Sequence, residues 1–317
     1  MSVLININGM KNTTEAPLKF NSLTEAHRAM GLPQPKHPLI SFINNEGRTH
    51  STSLPSRRHV LGFYKVSYKP GSKGKLRYGQ GYYDFDGGGL VFAAPNQVIA
   101  NQNEDGETVG TCSMYSLLIH PDFLLGHPLA KRIKQYGFFS YSANESLHLS
   151  DSERETILSI FRMIEGELDS RIDDFSQDVV ISQLELLLTY ANRFYKRQFI
   201  TRKASSSDLL QKLEEILDKH FNSRDEIGGI PTVQQIADQL NISPSYLSDM
   251  LRVLTGKNAQ QHIHDKLIEK AKEMLSTTSL TVGEVAYALG FEHSQSFSKL
   301  FKMKTQLSPV AFRQSFN

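Results

Sequence analysis

The chain has 317 residues, about twice a typical single domain, and its 39% hydrophobic and 21% charged content excludes a disordered chain or a fibrous repeat. Its net charge of +2 is too small to signal a nucleic-acid partner by bulk attraction to phosphate alone. The lone cysteine, Cys112, excludes an intrachain disulfide and a thiolate zinc cage and suits a reducing cytosol.

The opening stretch, MSVLININGMKNTTEAP, lacks a charged segment followed by an apolar one, and no apolar run reaches membrane-spanning length. A cytoplasmic protein without membrane contact is expected. Between residues 37 and 120, HVLGFYKVSY, GLVFAAPNQVI and TCSMYSLLIH read as strands, and KPGSKGK, DGGG and NEDGE as turns. This rhythm predicts an antiparallel sandwich or small barrel over 1–150. Arg48, Arg57, Arg58, Lys65, Lys69, Lys73, Lys75 and Arg77 follow one another without an intervening acid, which suits an anionic ligand, DNA, or merely a protected sheet edge. Among the aromatic residues, Tyr68, Tyr78, Tyr82 and Phe92 are candidates to line an effector pocket; the same residues also read as ordinary core. Asp84 and Asp86 flank Phe85 on one strand face, and a solvated turn accounts for them.

From Asp151 the period changes to that of a helix. Ile157, Ile160, Phe161 and Ile164 form one stripe, and Val180, Leu184, Leu187, Leu188 and Ala191 another, so 151–200 is expected to be a helical hairpin. Its apolar face serves equally for homodimerisation or for packing on the sheet. TRKASSSD interrupts the periodicity, and 201–207 reads as a linker.

The remainder, 208–317, contains an internal repeat. Val233, Ile236, Ala237, Leu240 and Ile242 recur 49 residues later as Val282, Val285, Ala286, Leu289 and Phe291. Each set falls at helical spacing, and Thr232 with Gln235, and Thr281 with Glu284, have the spacing of a capping box. Asn241 and Gly290 then stand where a left-handed turn is tolerated. A second helix follows in each copy, started in the first by Ser243-Pro244 and carrying Leu247, Met250, Leu251 and Leu254; in the second, Phe297, Leu300 and Phe301 take those roles. Two units of helix, tight turn and helix are thus expected near 232–254 and 281–304. Asn258 is placed to cap a spacer helix over 259–275, roughly 25 Å long. A helix presented this way fits the DNA major groove, and two of them enter successive grooves about 34 Å apart. Lys299, Lys302, Lys304 and Arg313 make the C-terminal end locally basic.

These residues, notably IADQLNISPSYLSDMLRVLTG and VAYALGFEHSQSFSKLFKMKTQLSPVAFR, resemble the DNA-binding domain of AraC/XylS-type transcription regulators. The resemblance implies that Ser243, Ser245, Tyr246, Ser248 and Asp249 on the first reading helix lie at the DNA interface. On the second, it implies the same for Ser294, Gln295, Ser296 and Lys299, with Arg252 and Lys302 meeting phosphate. Three positions depart from the family: Gln306 stands where glycine is usual, Asn258-Ala259 where Ser-Pro is common, and Asp249 where a basic residue is frequent. An acid repels phosphate while accepting from a cytosine amino group, so the first helix is expected to bind the more weakly.

The resemblance also implies a cupin-like N-terminal barrel, resting on the strand rhythm and GLVFAAPNQ. Cupin-like barrels occur in metal-dependent enzymes, which supplies the alternative reading; a constitutive DNA-binding protein without effector is another. His262 and His264 sit two apart on a helix, and His50, His59, His120 and His127 show no chelating spacing, so no metal, cofactor or catalytic residue is expected. The expected architecture is α+β multidomain: a barrel, a helical hairpin and an all-α tandem helix-turn-helix domain. The expected protein is a regulator, in family precedent an activator, with double-stranded DNA, a small-molecule effector, a second copy and RNA polymerase as partners.

Overall fold

In the computed structural model, residues 17–46, 58–70, 76–78, 81–83, 88–100, 113–142, 145–170, 173–201, 203–222 and 229–316 are described. Alternating β-branched and aromatic residues make the N-terminal half a set of short strands. In chain order these are β1 (Leu18–Phe20), a short helix α1 (Leu23–Ala29), β2 (Ile40–Asn44), β3 (Arg58–Leu61), β4 (Tyr64–Lys69), β5 (Leu76–Tyr78), β6 (Gly81–Tyr83), β7 (Gly89–Ala93), β8 (Val98–Ala100) and β9 (Tyr115–Ile119). A helical turn α2 (Leu129–Arg132) and β10 (Leu147–His148) follow.

The strands form a five-stranded sheet of order β10-β7-β4-β9-β2, a three-stranded sheet β1-β3-β8 and the β5-β6 hairpin. The expected single barrel is therefore not closed among the described residues. In β9 every residue is buried. Tyr115, Leu117 and Ile119 face the main core, whereas Leu118 packs with Phe20, Leu23, Leu61 and Phe63 toward the small sheet. Central strands covered on both faces by different layers have no lumen to enclose, and β1 pairs with β3 in parallel rather than antiparallel fashion.

The helical layer is α3 (Asp151–Asp169) and α4 (Ser176–Thr201). A capping box between Ser150 and Glu153 starts α3. Both predicted stripes are buried in the chain's own core, with Phe161 beside Phe42 and Tyr115. The face that motivated a dimer is thus used internally. Along α4, Arg197 holds Glu153 at 2.6 Å, and the buried Gln198 accepts from the β10 backbone at His148 (2.9 Å), fastening the hairpin to the sheet edge.

Of the stretch expected as a linker, Thr201 closes α4 and 203–207 lie in a further helix, α5 (Lys203–Asn222). Leu213 and Leu217 of α5 are buried, and once such a helix is nucleated, extending it through polar residues is inexpensive. The remaining helices are α6 (Val233–Gln239), α7 (Pro244–Thr255), α8 (Ala259–Thr277), α9 (Val282–Ala288), α10 (Ser294–Thr305) and α11 (Pro309–Gln314). The core of the sheet and hairpin continues through α6 and α7 to Ala259 and Ile263 of α8. A separate core joins Leu267, Ala271 and Leu275 of α8 to α9 and α10. The core boundary therefore falls inside α8, between the two repeats.

Among the described residues no helix is long and apolar enough to cross a membrane, and no three metal-ligating side chains come together. Cys112, Asp84, Asp86 and, in the basic run, Arg48, Arg57, Lys73 and Lys75 lie outside the described residues.

Candidate nucleic-acid interface

The first helix and the turn of each repeat are built from the same local bonds. In the first, the Thr232 hydroxyl accepts from the Gln235 N–H (3.2 Å), and Gln235 accepts in return from the Thr232 N–H (2.8 Å). In the second, Thr281 and Glu284 do the same at 3.2 and 2.6 Å. The donors of Thr281 hold the Glu284 carboxyl below its ordinary pKa. The turns match as well: Asn241 and Gly290 have φ of 55° and 87°, and Ile242 and Phe291 return their N–H to Ala237 and Ala286, both at 3.0 Å. Such 6→1 bonds satisfy carbonyls at a helix end and turn the chain sharply into the next helix.

The second helices end alike, on Gly256 (φ 78°) and Gln306 (φ 64°), whose N–H groups reach Arg252 and Lys302 carbonyls. A left-handed Gln costs about 1–2 kcal/mol that glycine avoids, which is the physical content of the departure at that position.

Between the repeats α8 is capped by Asn258, which closes a box with Gln261 in place of a Ser-Pro start. Its 19 residues span about 28 Å. Asp265 on α8 accepts from Lys257 (2.7 Å) and from Lys304 of α10 (2.8 Å). Burial opposes its ionisation, yet the two ammonium groups hold its carboxyl below the ordinary range. Arg313 donates to the Leu275 carbonyl at 3.1 Å, closing the C-terminal end of α8. Two members of the basic cluster, Lys304 and Arg313, thus brace the domain. Asp265 escaped sequence reading because its partners lie on other elements.

On α10, Gln295, Ser296, Lys299 and Lys302 are exposed and Ser294 is half-buried, above a buried face of Phe297 and Phe301. On α7, Ser245 and Ser248 are half-buried and Arg252 is exposed, while Arg252 pairs with Asp249 at 2.7 Å. Ser243 and Tyr246 do not face outward as the resemblance implied. They are 8% and 5% exposed, and the N-terminal half covers them. Asp249 accepts from the Tyr141 hydroxyl at 2.8 Å. Burial, and then the Asp249 charge, push the Tyr141 phenol far above its usual pKa.

Of the effector candidates, Tyr68 and Phe92 belong to the core, where Phe92 packs on Phe138, Phe139 and Tyr195. Dense aromatic packing rather than an open pocket surrounds it. The side chains of Tyr78 and Tyr82 lie outside the described residues.

A protein-family profile described as a helix-turn-helix domain matches residues 236–315. An uncharacterized HTH-type transcriptional regulator, YijO of Escherichia coli K12, is 28% identical over 131 residues, 41% of this chain and 44% of that protein. The HTH-type transcriptional activator RhaS of Escherichia coli O1:K1 is 30% identical over 139 residues, 44% of this chain and 46% of that one. This chain therefore spans about half the length of these relatives. Among solved structures, the C-terminal domain of the two-component response regulator yesN from Fusobacterium nucleatum is similar at 29% identity, covering 33% of this chain and 98% of that one with a TM-score of 0.30.

Proposed function

We propose that the chain is an AraC-type, sequence-specific DNA-binding transcription regulator, a reading supported by the match of residues 236–315 to a helix-turn-helix domain profile. The observation that carries the reading is the duplication itself. Two helical pairs, whose first helices carry matching capping boxes, hang on one spacer, α8, and the second presents Gln295, Ser296, Lys299 and Lys302 on an exposed face. A helix of that diameter fits the major groove, where polar side chains read base edges and lysines neutralise phosphate. On α7, Ser245 and Ser248 are the corresponding readers, and Arg252 meets phosphate. The N-terminal half is the sensing part of the same reading, with a small-molecule effector and RNA polymerase as partners of an activator.

Selection of bound sites from random duplexes by the full chain tests this reading: an enriched motif is expected, and recovery of unenriched DNA sinks it. Two substitutions separate reading from holding. Lys302→Ala is expected to weaken binding to all duplexes and to lower the slope of log K against log salt by about 1, since one phosphate contact is lost. Gln295→Ala is expected to leave that slope in place and to relax preference at one or two base positions, a discrimination loss of about 1–3 kcal/mol. Anisotropy titrations on the selected site and on single-base variants of it distinguish the two.

A further inference from the structure

The two reading helices are not equally available. The tip of α10 is open: His293, Gln295 and Ser296 are exposed. The tip of α7 is partly covered: Ser243 and Tyr246 are buried, and Pro244, Ser245 and Ser248 are half-buried. Glu145, 98 positions earlier and 1% exposed, accepts the Ser243 N–H on one carboxylate oxygen and the Ser243 hydroxyl on the other, each at 2.6 Å. It also accepts the Ser142 N–H at 2.6 Å. Three donors thus converge on the one carboxylate, which is what makes a buried acid tolerable and such bonds strong. One turn further along α7, Tyr246 lies edge-on to Tyr141 and Phe199, with ring centroids 5.2 and 5.1 Å apart. A further turn brings Asp249 onto the Tyr141 hydroxyl and against Gly137, where an added Cβ would collide with its carboxylate. Beside these contacts the seam holds a cavity of about 310 Å³, lined in part by Tyr136, Asn192, Lys196 and Arg252, while the buried face of α7 shares the core of the sheet and hairpin.

In helix-turn-helix proteins it is the N-terminal residues of the second helix that reach base edges. Here that end of α7 is occupied by the chain's own N-terminal half. We propose that Glu145 and Tyr141 are positioning residues that withhold the first reading helix, so that the full chain engages DNA through α10 alone until the seam opens. The proposal rests on the regulator reading and adds an internal competitor for one of its two DNA contacts. Opening the seam converts single-unit binding into tethered two-unit binding. Affinity then rises through effective concentration, with no new surface required.

Glu145→Gln tests it most cleanly. The amide keeps the side chain's size but turns a donor toward the Ser243 or Ser142 donors. Tyr141→Phe removes only the hydroxyl that holds Asp249, and Gly137→Ala pushes on that carboxylate from the other side. The full chain and each full-length variant are titrated on the site selected from random duplexes, their salt slopes are measured, and the complexes are footprinted. The expected result is about tenfold or greater tightening in the variants. It is accompanied by a steeper salt slope and by protection extended about one helical turn, roughly 10 base pairs. A merely destabilised chain would lose affinity without gaining slope or footprint. Wild type and variants of equal affinity and footprint, or a wild type that already protects both segments, overturn the proposal. Failure of all these chains to select any DNA overturns the regulator reading instead.

Discussion

Phe301→Ala is expected to unfold the second helix-turn-helix while leaving the N-terminal half intact. Phe301 is fully buried, edge-on to Phe312 and tilted on Phe297, within a core of nine buried residues among those described. Truncating a buried phenylalanine costs about 3–5 kcal/mol, a large share of what so small a core supplies. That core is separate from the one joining the sheet, the hairpin and α7, so the loss should stay local. Hydrogen exchange reads the outcome. Amides of α9 and α10 should lose protection by a factor of a hundred or more, about 3 kcal/mol, while those of α3 and α4 keep theirs. Equal loss in both regions would mean that the chain unfolds as one unit.

Gly290→Ala carries the second large effect, through the backbone. At φ +87°, alanine costs about 1–2 kcal/mol in the left-handed region alone. The added methyl would also lie 2.6 Å from the Gly229 carbonyl carbon and 2.9 Å from the Ile230 nitrogen, backbone atoms that cannot rotate away. Overpacking adds about 1–3 kcal/mol, for a total of roughly 2–5. Gly256→Ala is the internal control: its φ of +78° imposes similar strain, but nothing stands within 4 Å of the new methyl. Denaturant titrations of the two variants should differ by that overpacking increment. Since Gly290 rests on the segment leading into α6, its displacement also shifts one unit against the other. In the Glu145→Gln background, where both units engage DNA, duplexes with the two half-sites at altered spacing should then be bound in preference to the wild-type spacing.

The duplicated domain could be read in advance because its determinants are local. A capping box spans three residues and a left-handed turn one, and four apolar positions mark the buried face of a short helix. Thr232, Thr281, Asn258, Asn241 and Gly290 therefore occupy their expected places with the expected bonds. Gln306 also adopts the left-handed conformation that its glycine-favouring position demands, at a strain cost, because the chain must turn there whatever the residue. Polar composition misled at 201–207, where Ser-rich sequence reads as linker in isolation but continues a helix nucleated by the apolar stripe beyond it.

What no window of sequence contained is which surfaces meet. An alternating strand records that a face is buried, not whether a barrel interior, a second sheet or a helical hairpin buries it, and β9 is covered on both sides by different layers. Ser243 reads as a helix cap wherever it stands; only folding brings it to Glu145. Helix ends and turns follow from short-range sterics and hydrogen bonding written residue by residue. Access to a reading helix depends instead on long-range desolvation and packing between segments far apart in the chain, and so was decided by the fold.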